Sequence, residues 1–360
     1  MEEFRGDRDG PAFDVTVISE TLAGENDERA DKFATVRRPS ATQLIGLIRS
    51  HDIIHVAGPA ILPLVIGLLL RKPLVIEHHG FQTICPNGQL LIEPAGIPCP
   101  GHFMLHHHGE CLRCNSAPGW WHSVKLWALT FFRRWLCRRV AVNIAPTAWL
   151  GELIRLPRVT AIHHGIERRA ICTDTQTPRH ARLIAFQGRL VSTKGVGVLL
   201  EAAKILSEKK QAFELVIIGD GPERQTLEEL SRQWQIDERV RFLGRLASAD
   251  AEAVLSRAFA VVVPSIGGEV FGLVVAENMQ RGIPVVASDL GAFAEVIGNC
   301  GVTFRTGDAV SLANALCELM ERPEKAAELG RSGARRVEEA FGLERMIGAH
   351  ADVYRSIAPK

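Results

Sequence analysis

The chain has 360 residues, a length that at roughly 150 residues per domain suggests two domains with sizeable cores. Its 42 Lys and Arg against 41 Asp and Glu leave a net charge of +1, so the overall charge does not indicate nucleic acid or another acidic polymer as a partner. Hydrophobic residues at 46% and charged residues at 23% exclude wholesale disorder, collagen and coiled coil.

The sequence carries no signal for export or membrane insertion. Residues 1–10 are charged and contain glycine, and they lack the apolar stretch of a signal peptide. The most apolar run, residues 59–70, is too short for the roughly 20 residues that a membrane span needs. We therefore expect a cytoplasmic protein, in which eight cysteines are too few for a disulfide scaffold.

Short apolar runs alternate with amphipathic stretches along the first half, as in strand–helix units on a parallel sheet. Strands are predicted at residues 13–19, 53–56, 74–77, 141–145 and 159–162, and helices at residues 40–50 and 59–70. Residues 85–119, rich in Pro, Gly, Cys and His, are predicted to form a long functional loop or insertion. The fold class is α/β.

A polar stretch, residues 167–182, is predicted to link this half to a second one. Strands are predicted at residues 183–187, 214–218, 240–243, 260–264, 284–287 and 302–304, and helices at residues 196–208, 222–235, 249–257, 271–281 and 311–321. Two further helical stretches close the chain. This half has the pattern of a complete doubly wound domain, with a ligand site at the carboxyl ends of its strands.

Two strand–helix junctions of the second half carry residues suited to a phosphorylated sugar. Arg189 and Lys194 follow one strand, where two cations and a helix N-terminus suit a diphosphate. Glu269 lies in a glycine-rich loop, and Glu277 lies about two turns into the following helix. Carboxylates accept hydrogen bonds from vicinal hydroxyls, so this pair suits a sugar and a ribose.

With these motifs the chain resembles the retaining GT-B glycosyltransferases of family four. The matching segments, in the family's order, are GRLVSTKG, IGDGPERQTLE, VRFLGR, PSIGGEVFGLVVAEN and GIPVVASDLGAFAEVI. The resemblance implies two Rossmann-like domains facing a cleft. Residues 1–170 form the acceptor side, residues 171–342 bind a nucleotide sugar, and residues 343–360 form a helix that can pack back on the first domain.

The resemblance implies a role for each matching residue. Arg189 and Lys194 hold the diphosphate of a UDP- or GDP-sugar, Glu277 binds the ribose, and Glu269 binds the transferred sugar. The implied donor-binding set comprises Gly188, Leu243, Gly244, Val270, Phe271, Gly272 and Glu277. His79 matches a histidine that faces the transferred sugar in a subset of the family, although Gly80 follows it where Asp is usual. The implied catalytic set is His79, Arg189, Lys194 and Glu269.

The implied reaction is hexose transfer with retention, onto a saccharide or lipid-linked acceptor in glycan or exopolysaccharide assembly. The sequence has no obvious Asp-x-Asp metal motif, so the two cations and a helix dipole are expected to stabilise the leaving diphosphate without a catalytic metal. Glu295 is interpreted as a capping or backbone-binding carboxylate. The family's first strand and Gly-rich loop have no counterpart before residues 13–19, and a catalytically silent donor-binding or partner subunit is therefore the alternative.

Residues 85–119 contain four cysteines, Cys85, Cys99, Cys111 and Cys114, with several histidines between them. Four thiolates suit a tetrahedral structural zinc, which would stabilise a loop with little apolar core. The spacing is irregular and contains a single CxxC, so free thiols are the other interpretation.

No acidic residue lies between Glu110 and Glu152, whereas this stretch holds six Lys and Arg and several aromatic residues. A basic aromatic helix suits the interface of an anionic membrane, where it would meet a lipid-linked acceptor on the inner face of the cytoplasmic membrane. The other interpretation is a packed helix whose aromatic residues line the first core.

Overall fold

The structure is a computed structural model that describes residues 13–20, 34–93, 95–115, 119–168 and 182–359. The strands of the first half are β1 (Thr16–Ser19), β2 (Ala34–Arg37), β3 (Ile54–Ala57), β4 (Leu74–Glu77), β5 (Leu91–Ile92), β6 (Ile97–Pro98), β7 (Val142–Ala145) and β8 (Val159–Ala161). Its helices are α1 (Ala41–Ser50), α2 (Ile61–Leu69), α3 (His108–Cys114), α4 (Trp120–Cys137) and α5 (Ala148–Ile154).

The first half is built on a parallel sheet of four strands in the order β3-β4-β7-β8. Strand β4 lies in its interior and all four of its residues are buried, as expected for a strand covered on both faces. Strands β1 and β2 pair in parallel as a separate sheet. The insertion at residues 85–119 is more ordered than the sequence predicts, because it holds the β5–β6 hairpin and α3.

The strands of the second half are β9 (Leu183–Gln187), β10 (Glu214–Ile218), β11 (Val240–Gly244), β12 (Ala260–Val263), β13 (Val285–Ser288) and β14 (Val302–Phe304). Its helices are α6 (Val196–Glu208), α7 (Arg224–Gln233), α8 (Ser248–Leu255), α9 (Leu273–Gln280), α10 (Gly291–Ile297), α11 (Ala309–Glu321), α12 (Pro323–Ala340) and α13 (Leu343–Ile357). The proposed linker, residues 167–182, lies mostly outside the described residues.

The six strands of the second half form a parallel sheet in the order β11-β10-β9-β12-β13-β14. The chain winds outward first to one side of β9 and then, from β12 onward, to the other, so the winding reverses between these two strands. In open α/β sheets such a reversal leaves a crevice outside the carboxyl ends of the two strands, where ligands bind. The segments that follow β9 and β12 are therefore placed for binding.

Helix α13 returns to the first half and packs on its sheet. Val75 on β4, Ile144 on β7 and Ile162 form a buried cluster against which Met346 and Val353 of α13 pack. The end of the chain thus covers the sheet that its beginning builds. Among the described residues, no helix combines the length and the apolar character needed to cross a bilayer.

Candidate active site

Two segments of the second half meet at the reversal between β9 and β12. The amide of Ile266, in the glycine-rich loop at residues 264–272, donates to the carbonyl of Thr193 at 2.8 Å. Gly195 has a φ of +64°, and a Cβ added there would lie 2.0 Å from the carbonyl oxygen of Pro264. Only glycine allows this approach, since any side chain would push the two segments apart.

Lys194 and Glu269, both predicted from the sequence, form an ion pair across these segments. Lys194 Nζ lies 2.5 Å from Glu269 Oε1, and the hydroxyl of Ser265 donates to the same oxygen at 2.9 Å. The side chains are 28% and 13% exposed, so both are accessible yet partly shielded from water. An ammonium and a carboxylate placed together can each exchange their partner for a phosphate or a sugar hydroxyl.

Arg189 and Glu277 border this pair without joining it. Arg189 is exposed on the turn after β9, and Glu277 is half-buried in the second turn of α9, which begins after Gly272. Within the described residues, neither shares a hydrogen bond with Lys194 or Glu269. The N-terminus of α9 adds peptide N–H groups at the same edge of the sheet.

Backbone contacts connect β9, β10 and β11 at their carboxyl ends. The amide of Gly188 donates to Ile218 at 3.0 Å, and that of Gly219 donates to Gly244 at 2.8 Å. A Cβ on Gly219 would lie 1.8 Å from the carbonyl oxygen of Gly188. Gly188, Leu243 and Gly244 thus lie along one continuous edge, although no hydrogen bond joins Leu243 or Gly244 to the Lys194–Glu269 pair among the described residues.

The first half holds the glycine-rich loop at two points. The amide of Gly268 donates to the carbonyl of Gln89, which lies in the insertion, at 2.7 Å. The hydroxyl of Thr147 donates to the carbonyl of Val270 at 2.9 Å. The loop is therefore fixed from both halves of the chain.

His79 follows β4 and belongs to a cluster of histidines around one carboxylate, that of Glu77. The Glu77 carboxylate is approached at 3.4 Å by His55, 3.8 Å by His79, 3.6 Å by His164 and 3.5 Å by His350. We call these five residues the Glu77 cluster. The sequence indicates His79 alone, because Glu77 carries no motif and the three other histidines come from distant segments.

Burial alone would raise the pKa of Glu77, yet contacts with His350 and His55 and the charge of His79 hold it well below its usual range. Burial would lower the pKa of His350, but Glu77 and the carbonyl of Met346 raise it above its usual value. Burial also lowers the pKa of His164, and the charge of Glu77 offsets this only in part. The Glu77 carboxylate is therefore ionised inside the protein.

The Glu77 cluster connects α13 with the glycine-rich loop. Tyr354 of α13 has its hydroxyl 2.7 Å from His55 Nδ1, and burial raises the pKa of this tyrosine to about 12. On the other side, the ring of His164 stacks on that of His79 at 5.5 Å and meets the ring of Phe271 edge-on at 5.2 Å. His79 thus lies one ring away from the loop that carries Glu269.

Glu295 is a capping carboxylate, as interpreted from the sequence. Its two oxygens accept hydrogen bonds from the amides of Ala148 and Trp149, each at 2.8 Å, at the first turn of α5. His163 Nε2 lies 2.7 Å from the same carboxylate. Because Glu295 lies on α10, this cap joins the two halves of the chain.

The four cysteines of the insertion lie in one region. Burial, followed by the neighbouring thiols of Cys85, Cys99 and Cys114, raises the pKa of Cys111 to about 12. The Cys114 thiol donates to the carbonyl of Leu91 at 3.5 Å. In the described part of the chain, the donor atoms of Glu77, His79 and His164 all lie within 4.8 Å of one another. The sulfur atoms of the four cysteines do not form such a group.

Helix α4 shows one face to solvent and buries the other. The exposed face includes, at helical spacing, Trp121, Lys125, Ala128, Phe132 and Trp135, and the exposed Arg139 follows the end of the helix. Arg139 stacks on Trp135 at 3.7 Å. Arg134, one of the six Lys and Arg of this stretch, is buried and donates to the carbonyls of Ile154 and Arg155. A cavity of about 680 Å³ next to this face is lined by Phe103, Met104 and Phe131 among others.

Comparisons with known proteins bear on this site. Residues 168–336 match the family model of the glycosyl transferases group 1. Phosphatidyl-myo-inositol mannosyltransferase of Mycobacterium leprae is 34% identical over 227 residues, which are 61% of this chain and 60% of that protein. Glycogen synthase of Mycobacterium tuberculosis is 28% identical over 65% of this chain and 56% of its own. The chain thus spans about 60% or less of the length of these relatives.

Solved structures share the fold. The structure of Anabaena HepE in complex with UDP and glucose has a TM-score of 0.68 at 16% identity, over 95% of this chain and 91% of its own. Sucrose-phosphate synthase from Thermosynechococcus elongatus has a TM-score of 0.69 at 19% identity, over 95% and 88%. The architecture is that of the GT-B glycosyltransferases, with two Rossmann-like halves.

Proposed function

We propose that this chain, whose residues 168–336 match the glycosyl transferases group 1, transfers a hexose with retention from a nucleotide diphosphate sugar to a saccharide or lipid-linked acceptor. The observation that carries the proposal is the Lys194–Glu269 pair at the reversal between β9 and β12. One solved neighbour is described as binding UDP-glucose, and one relative is named for mannosyl transfer to a lipid. These names support a UDP- or GDP-sugar donor and a role in glycan assembly.

In the proposed reaction, Lys194 and Arg189 bind the donor diphosphate together with the N-terminal N–H groups of α9. Glu269 then exchanges its ion pair with Lys194 for hydroxyls of the transferred sugar, and Glu277 binds those of the ribose. As the glycosidic bond breaks, negative charge grows on the leaving phosphate beside the two cations. Charge stabilisation of this kind is typically the largest single contribution to such catalysis. His79 faces the sugar from the first half.

The test measures donor binding and turnover separately. Thermal shifts with a panel of UDP- and GDP-sugars identify the donor, since a ligand that binds only the folded state raises the melting temperature. Arg189→Ala, Lys194→Ala and Glu277→Ala are expected to weaken binding by about tenfold or more, as loss of a charged hydrogen bond does. Lys204→Ala, on α6, is the matched control. Unchanged affinity in all three variants would overturn this assignment of the site.

Turnover separates the enzyme from its alternative. We expect free nucleotide to be released faster when a saccharide or polyprenyl-phosphate-linked acceptor is added to the donor. Donor binding with no release under any acceptor would instead support a catalytically silent donor-binding subunit.

We further propose that the exposed face of α4 contacts an anionic membrane and brings a lipid-linked acceptor to the enzyme. Indole rings and cations share this face, and acidic side chains are absent from it. Aromatic residues of this type favour the headgroup region, and each cation near an anionic surface adds about 1 kcal/mol of attraction. The cavity beside the same face is lined by aromatic side chains and by three arginines, so it suits the region of a lipid where an anionic headgroup meets its chain.

The four cysteines are proposed as ligands of a structural zinc ion. This proposal is supported by the position of all four cysteines in one insertion, whose two strands have only two residues each. Their thiols must lose protons and draw together to bind a metal, so a zinc content that Cys111→Ser leaves unchanged would contradict the proposal.

A further inference from the structure

We propose that Glu77, His79 and His164 form a binding site for a divalent transition-metal ion beside the glycine-rich loop. The proposed transfer reaction uses no metal, but the two sites share His79, so an ion bound here would lie beside the proposed position of the transferred sugar. In the described part of the chain, this is the group of three potential ligands whose donor atoms all lie within 4.8 Å of one another.

The spacing of the donor atoms is the first argument. Glu77 Oε2 lies 3.8 Å from His79 Nε2, and Glu77 Oε1 lies 3.6 Å from His164 Nδ1. A direct N–H···O hydrogen bond spans about 2.7–3.2 Å, which is clearly shorter. Ligands that share a zinc ion at about 2.1 Å each are separated by roughly 3.4 Å in a tetrahedral site. The two nitrogens are therefore too far from the carboxylate for a direct hydrogen bond, and their distances are close to those between ligands that share one metal ion.

The support around the ligands is the second argument. Side chains around a metal ligand hold it in its orientation. His55 and His350 flank Glu77 Oε2 at 3.4 Å and 3.5 Å from other segments, which is also beyond a direct hydrogen bond, so they confine the carboxylate by packing around it. His55 is fixed in turn by the Tyr354 hydroxyl, and His350 Nδ1 lies 2.9 Å from the carbonyl of Met346.

Ring packing fixes the orientation of the other two ligands, His79 and His164, and leaves one side of the proposed metal site open. His164 is held edge-on by Phe271, and the ring of His79 lies nearly parallel to it, at 14°. His79 is 42% exposed, whereas Glu77 is 12% exposed. An ion can enter on the His79 side and keep a fourth position for water or a substrate oxygen, as open zinc sites do. Two imidazoles and one carboxylate favour zinc, cobalt, iron or nickel over magnesium or calcium.

Such an ion would fix His79 and His164 against the loop that carries Phe271. This gives the ion a positioning role at the boundary between the two halves.

Cobalt(II) is the probe that tests the site, because its visible absorption reports both binding and ligand type. We expect the full chain, freed of metal with a chelator, to bind Co²⁺ at this site with d–d bands that remain in a Cys111→Ser/Cys114→Ser variant, in which no sulfur-to-cobalt charge-transfer band is present. Glu77→Gln and His164→Gln are expected to weaken this binding at least about 100-fold, beyond the 10- to 100-fold loss typical of outer-shell changes. His122→Gln, an exposed histidine on α4, is the matched control and should bind as the wild type does.

Two further variants keep the test decisive. His79→Gln alters a half-exposed side chain, so it removes a ligand even if the Glu77 variant does not fold. A Cys111→Ser/Cys114→Ser variant should retain the sulfur-free bands, because it changes only the insertion. Absence of d–d bands at stoichiometric Co²⁺, bands unchanged in both Glu77→Gln and His79→Gln, or bands of sulfur ligation alone would each overturn the proposal.

Discussion

The two halves of this chain build their parts of the candidate site in different ways. In the second half, backbone segments at the ends of β9 and β12 touch each other through glycines, and the charged side chains stand on those segments. In the first half, side chains from β3, β4, the segment after β8 and α13 converge on Glu77. The first arrangement is set by local backbone conformation, and the second depends on how distant segments pack.

This difference decides what a substitution does in each half. A loop held by backbone contacts tolerates side-chain changes but not an added Cβ at the point of contact. A cluster held by side chains tolerates changes of backbone conformation poorly and depends on each polar partner. Substitutions chosen for each half can therefore distinguish a site held by backbone contacts from one held by side-chain packing.

The largest effect is expected for Asn143→Leu in the first half. The Asn143 amide is buried on β7 and donates to the carbonyls of Cys137 and Pro157, while its oxygen accepts from His78 Nε2. Burial lowers the pKa of His78, which keeps this histidine neutral. Leucine would leave three buried groups without partners, at about 1–3 kcal/mol each, so the free energy of unfolding should fall by about 4 kcal/mol.

Urea unfolding measures this loss, and Asn314→Leu on the exposed face of α11 is the matched control. The same substitution at the surface should change stability by about 0.5 kcal/mol or less. Equal losses in both variants would mean that the first half does not depend on its buried polar groups.

A somewhat smaller loss is expected for Gly195→Ala in the second half. Alanine at a φ of +64° is strained, and its Cβ would lie 2.0 Å from the Pro264 carbonyl oxygen. We expect a loss of about 3 kcal/mol together with weaker donor binding, since the loop must move away from Lys194. Gly197→Ala is the control: no atom lies within 4 Å of its added Cβ, and alanine inside a helix should add about 0.5–1 kcal/mol. A stable Gly195→Ala variant that binds donor normally would contradict the backbone account.

The sequence predicts the second half well because its signals are local. Strands β9 and β10 and helix α6 have the bounds predicted, since each is a buried apolar run that ends at glycine or a polar turn. The first half is predicted less well. The hairpin β5–β6 has two residues per strand, and α5 has seven residues, which is too short for a clear helical period.

The same contrast applies to the site residues. Lys194 and Glu269 lie 75 positions apart, and the order of the surrounding motifs indicates both. His55 and Tyr354 lie 299 positions apart and carry no motif, so their contact follows only from the return of α13 to the first sheet. Besides His79, the one signal in the sequence for the cluster is Glu77, an acidic residue at the end of an apolar strand.

A moderate, pH-dependent effect is expected for Glu295→Gln at the joint between the halves. Burial would raise the pKa of Glu295, but N–H groups of Trp149 and Ala148 and the contact with His163 hold it below its usual 4.5. A lowered pKa stabilises the folded state above the ordinary pKa, and this contribution is lost as the pH falls through the folded value. We expect the variant to lose about 1 kcal/mol at pH 7, as loss of a helix cap does.

The difference in unfolding free energy between wild type and Glu295→Gln should shrink as the pH falls below 4.5. Taking this difference removes the acid effects that both proteins share. Glu201→Gln, at an exposed position on α6, should show no such change. A difference that grows in acid would contradict the capping role of this carboxylate.

The smallest effect on stability, and a large one on binding, is expected for Trp121→Ala/Trp135→Ala on α4. These indoles are 82% and 46% exposed, so their removal leaves the core of the first half intact. Burial of an exposed indole in the headgroup region contributes about 2 kcal/mol, so sedimentation with phosphatidylglycerol vesicles should weaken by more than tenfold. Val310→Ala, an exposed apolar residue on α11, is the control in the second half. Equal sedimentation of the Trp variant and the wild type would show that this aromatic face does not bind the membrane. The comparison of the two halves would then depend only on their buried groups.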